Sequence, residues 1–93
     1  MKIWLDDVRI PPQGEDWVWV TNGEDFLNIL CWCKGLVLEA SLDHDLGGGM
    51  SGYDVVCSME QDDNWPIKAC YVHSMNPVGA PKMQQVIDKH YKG

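Results

Sequence analysis

Acidic and imidazole side chains gather at three places in the sequence, each directly after a short apolar run. These places are Asp6-Asp7, Asp43-His44-Asp45 and His73-Ser74. Carboxylate oxygens are the ligands that hard divalent cations prefer, and imidazole groups exchange protons near neutral pH. A site that combined the three places could therefore bind a divalent cation and transfer protons beside it.

Up to four of these carboxylates would repel one another strongly if the three places met, unless a cation lay among them or some took up protons. The economical arrangement is a divalent cation held by carboxylate oxygens, and these ligands favour Mg²⁺ or Mn²⁺. Asp6 and Asp7 would supply two ligands, and either Asp43 or Asp45 a third. The alternative is purely local, because aspartate commonly forms turns and caps helices after strands.

Two histidines and several further polar residues suit the chemistry of a phosphoester. His44 and His73 could take a proton from water and give one to a leaving oxygen. Asp45 could orient His44 or supply an outer contact to the metal ligands. The candidate phosphate ligands are Arg9, Ser74 and Asn76. A surface ion pair is the alternative for Arg9. Ser74 is expected to donate a hydrogen bond rather than to act as a nucleophile, because the spacing of a nucleophile elbow is absent.

Four short apolar segments predict strands, at residues 2–5, 17–20, 36–42 and 67–72. Three amphipathic segments predict helices after the second, third and fourth strands. The first helix is expected to begin at a capping box formed by Thr21 and Glu24. The second is expected to begin at Ser51, and the third to hold Pro81 in its first turn.

This alternation of strands and helices is typical of an α/β fold. Right-handed crossovers build a mainly parallel sheet, and we expect the strand order 2-1-3-4 with helices on both faces. The connections from the first and third strands lead in opposite directions across the sheet, which makes the space between these two strands a topological switch point. In sheets of this kind, ligands bind at the switch point, outside the carboxyl ends of the strands. The three places rich in acids and imidazoles are those strand ends.

Length and composition narrow the classes of protein. The 93 residues allow one small domain, residues 1–93, and no stretch approaches the ~20 apolar residues of a membrane-spanning helix. Fourteen acidic against seven basic side chains give a net charge of −7. This charge argues against duplex DNA as a partner, because affinity for its backbone comes from Lys and Arg. No secretion signal is visible, so a cytoplasmic location is expected.

The cysteines, glycines and tryptophans are interpreted structurally. The four cysteines lie in apolar segments and are expected to be buried, reduced thiols. Cys31 and Cys33 are two apart in a predicted helix, so they point away from any common zinc ion. Residues 47–49 are glycines without the spacing of a phosphate-binding loop and indicate a flexible turn over the site. The alternation of Trp17 and Trp19 favours one face of an edge strand over a platform for stacking bases.

Four motifs follow one another along the chain: IWLDDVR at residues 3–9, SLDHDLG at 41–47, GYDV at 52–55 and HSMNPVG at 73–79. Together they resemble the cyclic-phosphate-processing receiver-like domain family, an offshoot of the response-regulator receiver fold. The resemblance covers nearly the whole chain. It implies a truncated flavodoxin-like, receiver-like fold with four strands and three helices, and an acidic metal-binding pocket. It also implies a role in processing cyclic or terminal phosphates of nucleotides or RNA.

The resemblance also assigns individual residues. Receivers hold Mg²⁺ with two acids after the first strand and one after the third, which correspond here to Asp6, Asp7 and Asp43. The Ser-Leu pair before Asp43 selects it over Asp45. A Ser or Thr after the fourth strand of receivers corresponds to Ser74. Their lysine after a fifth strand has no counterpart here, which argues against a phosphoaspartate switch, while the two added histidines favour turnover.

The preferred hypothesis is a divalent-metal-dependent phosphoesterase that acts on a cyclic or terminal phosphate of a nucleotide or an RNA end. Its cofactor would be Mg²⁺ or Mn²⁺, and its partner a small phosphorylated ligand or an RNA terminus. The alternative is a non-catalytic receiver-like module that binds a partner protein or sequesters a phosphorylated ligand. The small size, the acidic surface and the missing lysine motivate this alternative.

Overall fold

The computed structural model describes residues 1–93 and contains four strands and three helices in the predicted order. The elements are β1 (Lys2–Leu5), β2 (Trp17–Val20), α1 (Gly23–Trp32), β3 (Glu39–Leu42), α2 (Gly52–Asp62), β4 (Ala69–Val72) and α3 (Gly79–Lys92). The third and fourth strands begin later than predicted. The residues ahead of them still pair through Ile67 N–H to the Val37 carbonyl and Lys68 N–H to the Leu38 carbonyl, at 2.9 and 2.8 Å.

The four strands form one parallel sheet in the order β2-β1-β3-β4, as predicted. The register places Leu5 beside Leu42, and Leu42 beside Val72. The hydrogen-bonded ladder continues one residue further, because the amides of Asp43 and His73 donate to the carbonyls of Leu5 and Leu42 at 2.9 and 3.0 Å. The residues after β1, β3 and β4 therefore stand side by side at one edge of the sheet, which is called the rim below.

The prediction that helices cover both faces of the sheet is wrong. α1 contacts α2, and α2 contacts α3, so the helices form one layer. Residues of all three helices pack in one core cluster with alternate strand residues such as Ile3, Ala40 and Cys70. The connections from β2 to β3 and from β3 to β4 run in the same direction across the sheet, so right-handed crossovers place their helices on the same face. The β1–β2 connection runs the other way, but it contains Pro11-Pro12 and forms no helix.

The opposite face of the sheet is covered in part by the β1–β2 connection and by aromatic side chains. The indole of Trp4 packs edge-on against Trp17, with centroids 5.7 Å apart, and donates a hydrogen bond to the Arg9 carbonyl at 2.8 Å. Trp17 and Trp19 share this face of the edge strand β2, as predicted from their alternation. Trp19 Nε1 donates to the Asp6 carbonyl at 2.7 Å, which ties the edge strand to the rim.

The helix starts agree with two of the three sequence predictions, one cap and one first-turn proline. Ser51 and Asp54 form the reciprocal capping box of α2, and Pro81 lies in the first turn of α3. The predicted Thr21 cap is wrong, since Asn22 caps α1 by accepting the Asp25 amide at 2.8 Å. The side-chain amide of Asn22 also donates to the Asp25 carboxylate at 2.9 Å. This second hydrogen bond favours a helix that begins one residue later than the predicted Thr21 cap would give.

The cysteines are free thiols, but the prediction that all are buried is wrong. Cys70 is buried, Cys33 and Cys57 are partly buried, and Cys31 is exposed. Cys31 lies on the outer side of α1, whereas Phe26 and Leu30 point into the core. The prediction that Cys33 lies inside α1 is also wrong, since this residue is the C-cap. No helix of the structure combines the length and apolar character needed to cross a membrane.

Candidate metal and acid-base site

Three carboxylates meet at the rim. One oxygen from each of Asp6, Asp7 and Asp43 lies within 4.8 Å of the others. Asp6 is buried, with 1% of its surface exposed, whereas Asp7 and Asp43 are half-buried. Asp45 is not part of this group, which agrees with the choice of Asp43 that the family resemblance implied. Three convergent carboxylates are a donor set that suits a hard divalent cation.

Asp6 is held by three hydrogen bonds. Its Oδ1 accepts the amides of Val8 and Arg9 at 2.9 and 2.7 Å, and its Oδ2 lies 3.0 Å from Nε2 of His73. Burial by itself would raise the pKa of Asp6. The hydrogen bonds from Arg9, Val8 and His73 together outweigh that effect and hold the pKa below its ordinary value. Asp6 is therefore a carboxylate at neutral pH.

His73 follows β4 and lies on the face of the sheet opposite the helices, beside Trp4. Its Nδ1 is 2.7 Å from the hydroxyl of Ser41, and its ring stacks on Trp4 with centroids 3.8 Å apart and planes within 4° of parallel. Burial lowers the pKa of His73 below its ordinary value and outweighs the opposing effects of Asp6 and Asp43. The positive charge of Arg9 acts in the same direction as burial.

His44 follows β3 and forms a pair with Asp45. Its Nδ1 lies 2.9 Å from Oδ1 of Asp45, and its backbone amide donates to Oδ1 of Asp43 at 2.8 Å. Asn76 donates from its amide group to both carboxylate oxygens of Asp45, at 3.2 and 3.3 Å. The hydrogen bond from His44, followed by that from Asn76, lowers the pKa of Asp45 below its ordinary value.

The three predicted phosphate ligands have different surroundings. Arg9 is exposed and uses one guanidinium nitrogen to donate to the His73 carbonyl at 3.2 Å, and its other guanidinium donors make no hydrogen bond within the protein. Ser74 Oγ accepts the Asn76 amide at 3.1 Å and keeps its hydroxyl hydrogen for another partner. Asn76 is already engaged, since its Oδ1 accepts the amides of Val78 and Gly79 at 3.0 and 2.7 Å.

An open depression borders the rim beside His44 and Asp45. It has a volume of about 330 Å³ and is lined by residues 44–51, including the three glycines. Gly47 has a φ of 81° and lies against the carboxylate of Asp7, so a β-carbon there would come within 2.9 Å of Oδ2. The glycine loop is thus placed beside the acidic group, and the depression can accommodate a small ligand.

Sequence reasoning did not identify Ser41 and Trp4 as site residues. Both lie inside strands, two positions before a residue of the rim. Because side chains alternate along a strand, Trp4 faces the same way as Asp6, and Ser41 the same way as Asp43. For Ser41, the available signal was a serine between Ala40 and Leu42 near the end of a predicted strand. His90 lies elsewhere, where it stacks on Trp65 with ring centroids 4.4 Å apart.

A parallel sheet in this order, with acids at the ends of β1 and β3, defines a receiver-like protein of the flavodoxin-like class. Residues 1–89 match the family described as cyclic-phosphate processing Receiver domain, and the chain belongs to this family. Membership links the chain to cyclic phosphate processing. No curated protein and no solved structure matches the chain.

Proposed function

We propose that the chain is a divalent-metal-dependent phosphoesterase that processes a cyclic or terminal phosphate of a nucleotide or an RNA end. One observation carries the proposal. Three carboxylates lie within 4.8 Å of one another, and one of them, Asp43, is bonded to the His44–Asp45 pair. His44 follows Asp43 in the chain, and its backbone amide donates a hydrogen bond to the Asp43 carboxylate. The proposed metal ligands and the proposed acid-base group are therefore neighbours at the rim.

Asp6, Asp7 and Asp43 would hold the cation, which we expect to be Mg²⁺ or Mn²⁺. When bound, a divalent cation supplies charge neutralisation for the phosphate oxygens. Asp6 suits this role because its hydrogen bonds keep it ionised although it is buried. Asp7 accepts no hydrogen bond from the protein, so both of its oxygens are available.

His44 would move the proton. Nδ1 lies 2.9 Å from the Asp45 carboxylate, and a carboxylate can only accept, so the hydrogen of this pair would be on Nδ1 and the lone pair of the neutral ring on Nε2. Nε2 makes no hydrogen bond within the protein. As the water oxygen bonds to phosphorus, Nε2 accepts a proton from that water. When the ester P–O bond breaks, the same proton passes to the leaving oxygen, so the imidazole ends the cycle as it began.

Arg9 and Ser74 would bind the phosphate oxygens through the guanidinium group and the hydroxyl. Asn76 has a different proposed role from the one expected from the sequence. Its amide group is used on Asp45 and its carbonyl oxygen on Val78 and Gly79. It therefore holds Asp45 relative to the start of α3 and positions the pair rather than the phosphate.

Turnover of a substrate panel tests the proposal. The panel contains 2′,3′-cyclic, 3′,5′-cyclic and terminal phosphates, each assayed with Mg²⁺, with Mn²⁺ and with a chelator. We expect metal-dependent hydrolysis that is abolished by Asp43→Asn and strongly reduced by His44→Ala. The matched control is His90→Ala, which changes a histidine stacked on Trp65 away from the rim. Metal binding without hydrolysis of any member would contradict the proposal.

A second candidate function is that of a non-catalytic module that binds a partner protein or sequesters a phosphorylated ligand. Four apolar side chains in the loops after β1 and β4 are more than half exposed, namely Val8, Ile10, Met75 and Val78. Exposed apolar groups beside a polar site are common where another protein binds. Calorimetry separates the two functions, because stoichiometric binding of an intact cyclic nucleotide favours the module and release of product favours the enzyme.

A further inference from the structure

The hydrogen bonds of His73 have a fixed direction. Oδ1 of Asp6 accepts two backbone amides, which favours the ionised carboxylate, and a carboxylate can only accept. The hydrogen between Asp6 and His73 is therefore carried by Nε2. A neutral ring then has its lone pair on Nδ1, which accepts the hydroxyl hydrogen of Ser41.

The surroundings of His73 restrict its ring. Ser41 and Trp4 are 4% and 7% exposed, and His73 bonds to one and stacks on the other. Rotation about the side-chain bonds would break both hydrogen bonds and the stack together. The imidazole is therefore held in one orientation, with Nε2 towards Asp6.

His44 differs from His73 in the property that a proton-transfer group needs. The side chain of His44 is 20% exposed and its Nε2 has no partner in the protein. The side chain of His73 is 13% exposed, and each of its nitrogens becomes free only when a bond to Ser41 or Asp6 is lost. Nε2 of His44 is therefore available without the loss of a hydrogen bond within the protein, whereas neither ring nitrogen of His73 is.

The hydrogen bonds to Asp6 leave one lone-pair position of its carboxylate free for a cation. A carboxylate offers about four lone-pair positions. The amides of Val8 and Arg9 occupy two on Oδ1, and His73 occupies one on Oδ2. The remaining position on Oδ2 is the one through which Asp6 can join Asp7 and Asp43 around a cation. Carboxylates that bind metals are commonly held by such outer hydrogen bonds.

We propose that His73 is a positioning residue that orients Asp6 for the cation, that Ser41 and Trp4 hold it in place, and that it transfers no proton. This inference rests on the metal site of the proposed function. It replaces the shared acid-base role that the sequence favoured for His73. It leaves His44, oriented by Asp45, as the acid-base group.

Metal affinity is the first test. Mn²⁺ alone is titrated calorimetrically into the native chain, Ser41→Ala and Ser41→Thr. Loss of an outer partner of a metal ligand weakens binding about tenfold to 100-fold. Ser41→Ala releases that partner, His73, without removing it, so it should weaken binding by no more than this amount while its unfolding stays cooperative. Ser41→Thr keeps the hydroxyl and should recover most of the affinity. Native affinity in Ser41→Ala would overturn the proposal.

The tautomer of His73 is the second test, and it needs no variant. Nitrogen NMR of the native chain at neutral pH, without metal, should show the hydrogen on Nε2 and a lone pair on Nδ1. A hydrogen on Nδ1 alone, or on both nitrogens, would contradict the role assigned to Ser41.

A third test separates positioning from proton transfer. His73→Gln should weaken Mn²⁺ binding while the pH profile of kcat keeps its native shape. If Mn²⁺ binding is unchanged but turnover falls and the shape of that profile changes, His73 is an acid-base group and the proposal falls. If the native chain hydrolyses no phosphoester, the proposed function fails, and metal affinity and the tautomer still decide the role of His73.

Discussion

The α-carbon of Gly79 lies against the imidazole of His44, so closely that a β-carbon on Gly79 would overlap the ring at Cδ2 and Nε2. Gly79 is the first residue of α3, and its amide is bound by Asn76. The start of the helix therefore forms one wall of the space that His44 occupies. The absence of a side chain at residue 79 is what lets the ring remain beside Asp45.

Gly79→Ala is expected to displace His44 from this position. A shift of about 1 Å in a reacting group can cost about 10²-fold in rate, so we expect kcat to fall by at least tenfold. Overpacking should also reduce the free energy of unfolding by about 1–3 kcal/mol. The assay is hydrolysis of the best panel substrate, together with urea unfolding. Gly14→Ala is the control, since no atom lies within 4 Å of its added β-carbon and Gly14 lies beside Met1 and Lys2, away from the rim. Its φ of 85° means that this variant also loses stability, and equal rates in the two variants would refute the prediction.

Two substitutions of Asn76 should separate its two functions. Asn76→Ala removes the acceptor for the amides that start α3 and the donor to Asp45, so it should lose about 1 kcal/mol of stability as well as activity. Asn76→Asp keeps an acceptor for the amides but places a second negative charge beside Asp45. It should lose about 1 kcal/mol of stability to this repulsion, and it should lose activity although the amides that start α3 keep their acceptor. Urea unfolding and turnover are measured for both, and an active, destabilised Asn76→Ala would contradict the positioning role.

Asp7→Asn should stabilise the chain when metal is absent. Asp7 lies within 4.8 Å of two other carboxylates and accepts no hydrogen bond that compensates their repulsion. Two like charges about 4 Å apart repel by about 1 kcal/mol even in water, so the free energy of unfolding should rise by about that amount. The same variant should lose most of the increase in Tm that Mg²⁺ gives the native chain. Thermal unfolding with and without Mg²⁺ checks both effects.

The control for Asp7→Asn is Asp16→Asn, in the exposed connection between β1 and β2. This variant removes the same charge away from the rim. It should change neither the stability without metal nor the response to Mg²⁺. If both variants behave alike, the effect comes from net charge and not from convergence at the rim.

The chain should become less stable in alkaline solution because of Cys70. Burial raises the pKa of the Cys70 thiol to about 12, whereas a thiol in the unfolded chain ionises near 8.5. The unfolded state therefore loses this proton first as the pH rises, so stability is unaffected below about pH 8 and decreases between there and about pH 12. Burial also raises the pKa of Tyr91, which acts in the same direction at higher pH.

The slope of unfolding free energy against pH measures this effect. Cys70→Ala should flatten the slope between about pH 9 and pH 11, even though the cavity lowers stability at every pH. Cys31→Ser should leave the slope unchanged, because Cys31 is exposed in the folded chain. An equal slope in the native chain and in Cys70→Ala would show that Cys70 does not cause the alkaline loss.

Much of the fold follows from patterns between neighbours in the chain. Ser51 and Asp54 are three residues apart and form the capping box of α2, so their sequence spacing was sufficient to predict it. The strand order came from the alternation of elements and the handedness of crossovers. Given that order, Asp6 and Asp43 had to end neighbouring strands, because parallel strands end at the same edge.

The sequence by itself thus determined the elements, the sheet order and the meeting of acids at the rim. The tertiary structure decided that the helices share one face and that His73 is held between Asp6 and Ser41. Those two hydrogen bonds join residues 67 and 32 positions apart, and no local period or cap relates such positions. Two side chains on different strands meet only if the strand register places them side by side and both lie on the same face of the sheet. The packing of the whole chain sets both the register and the face.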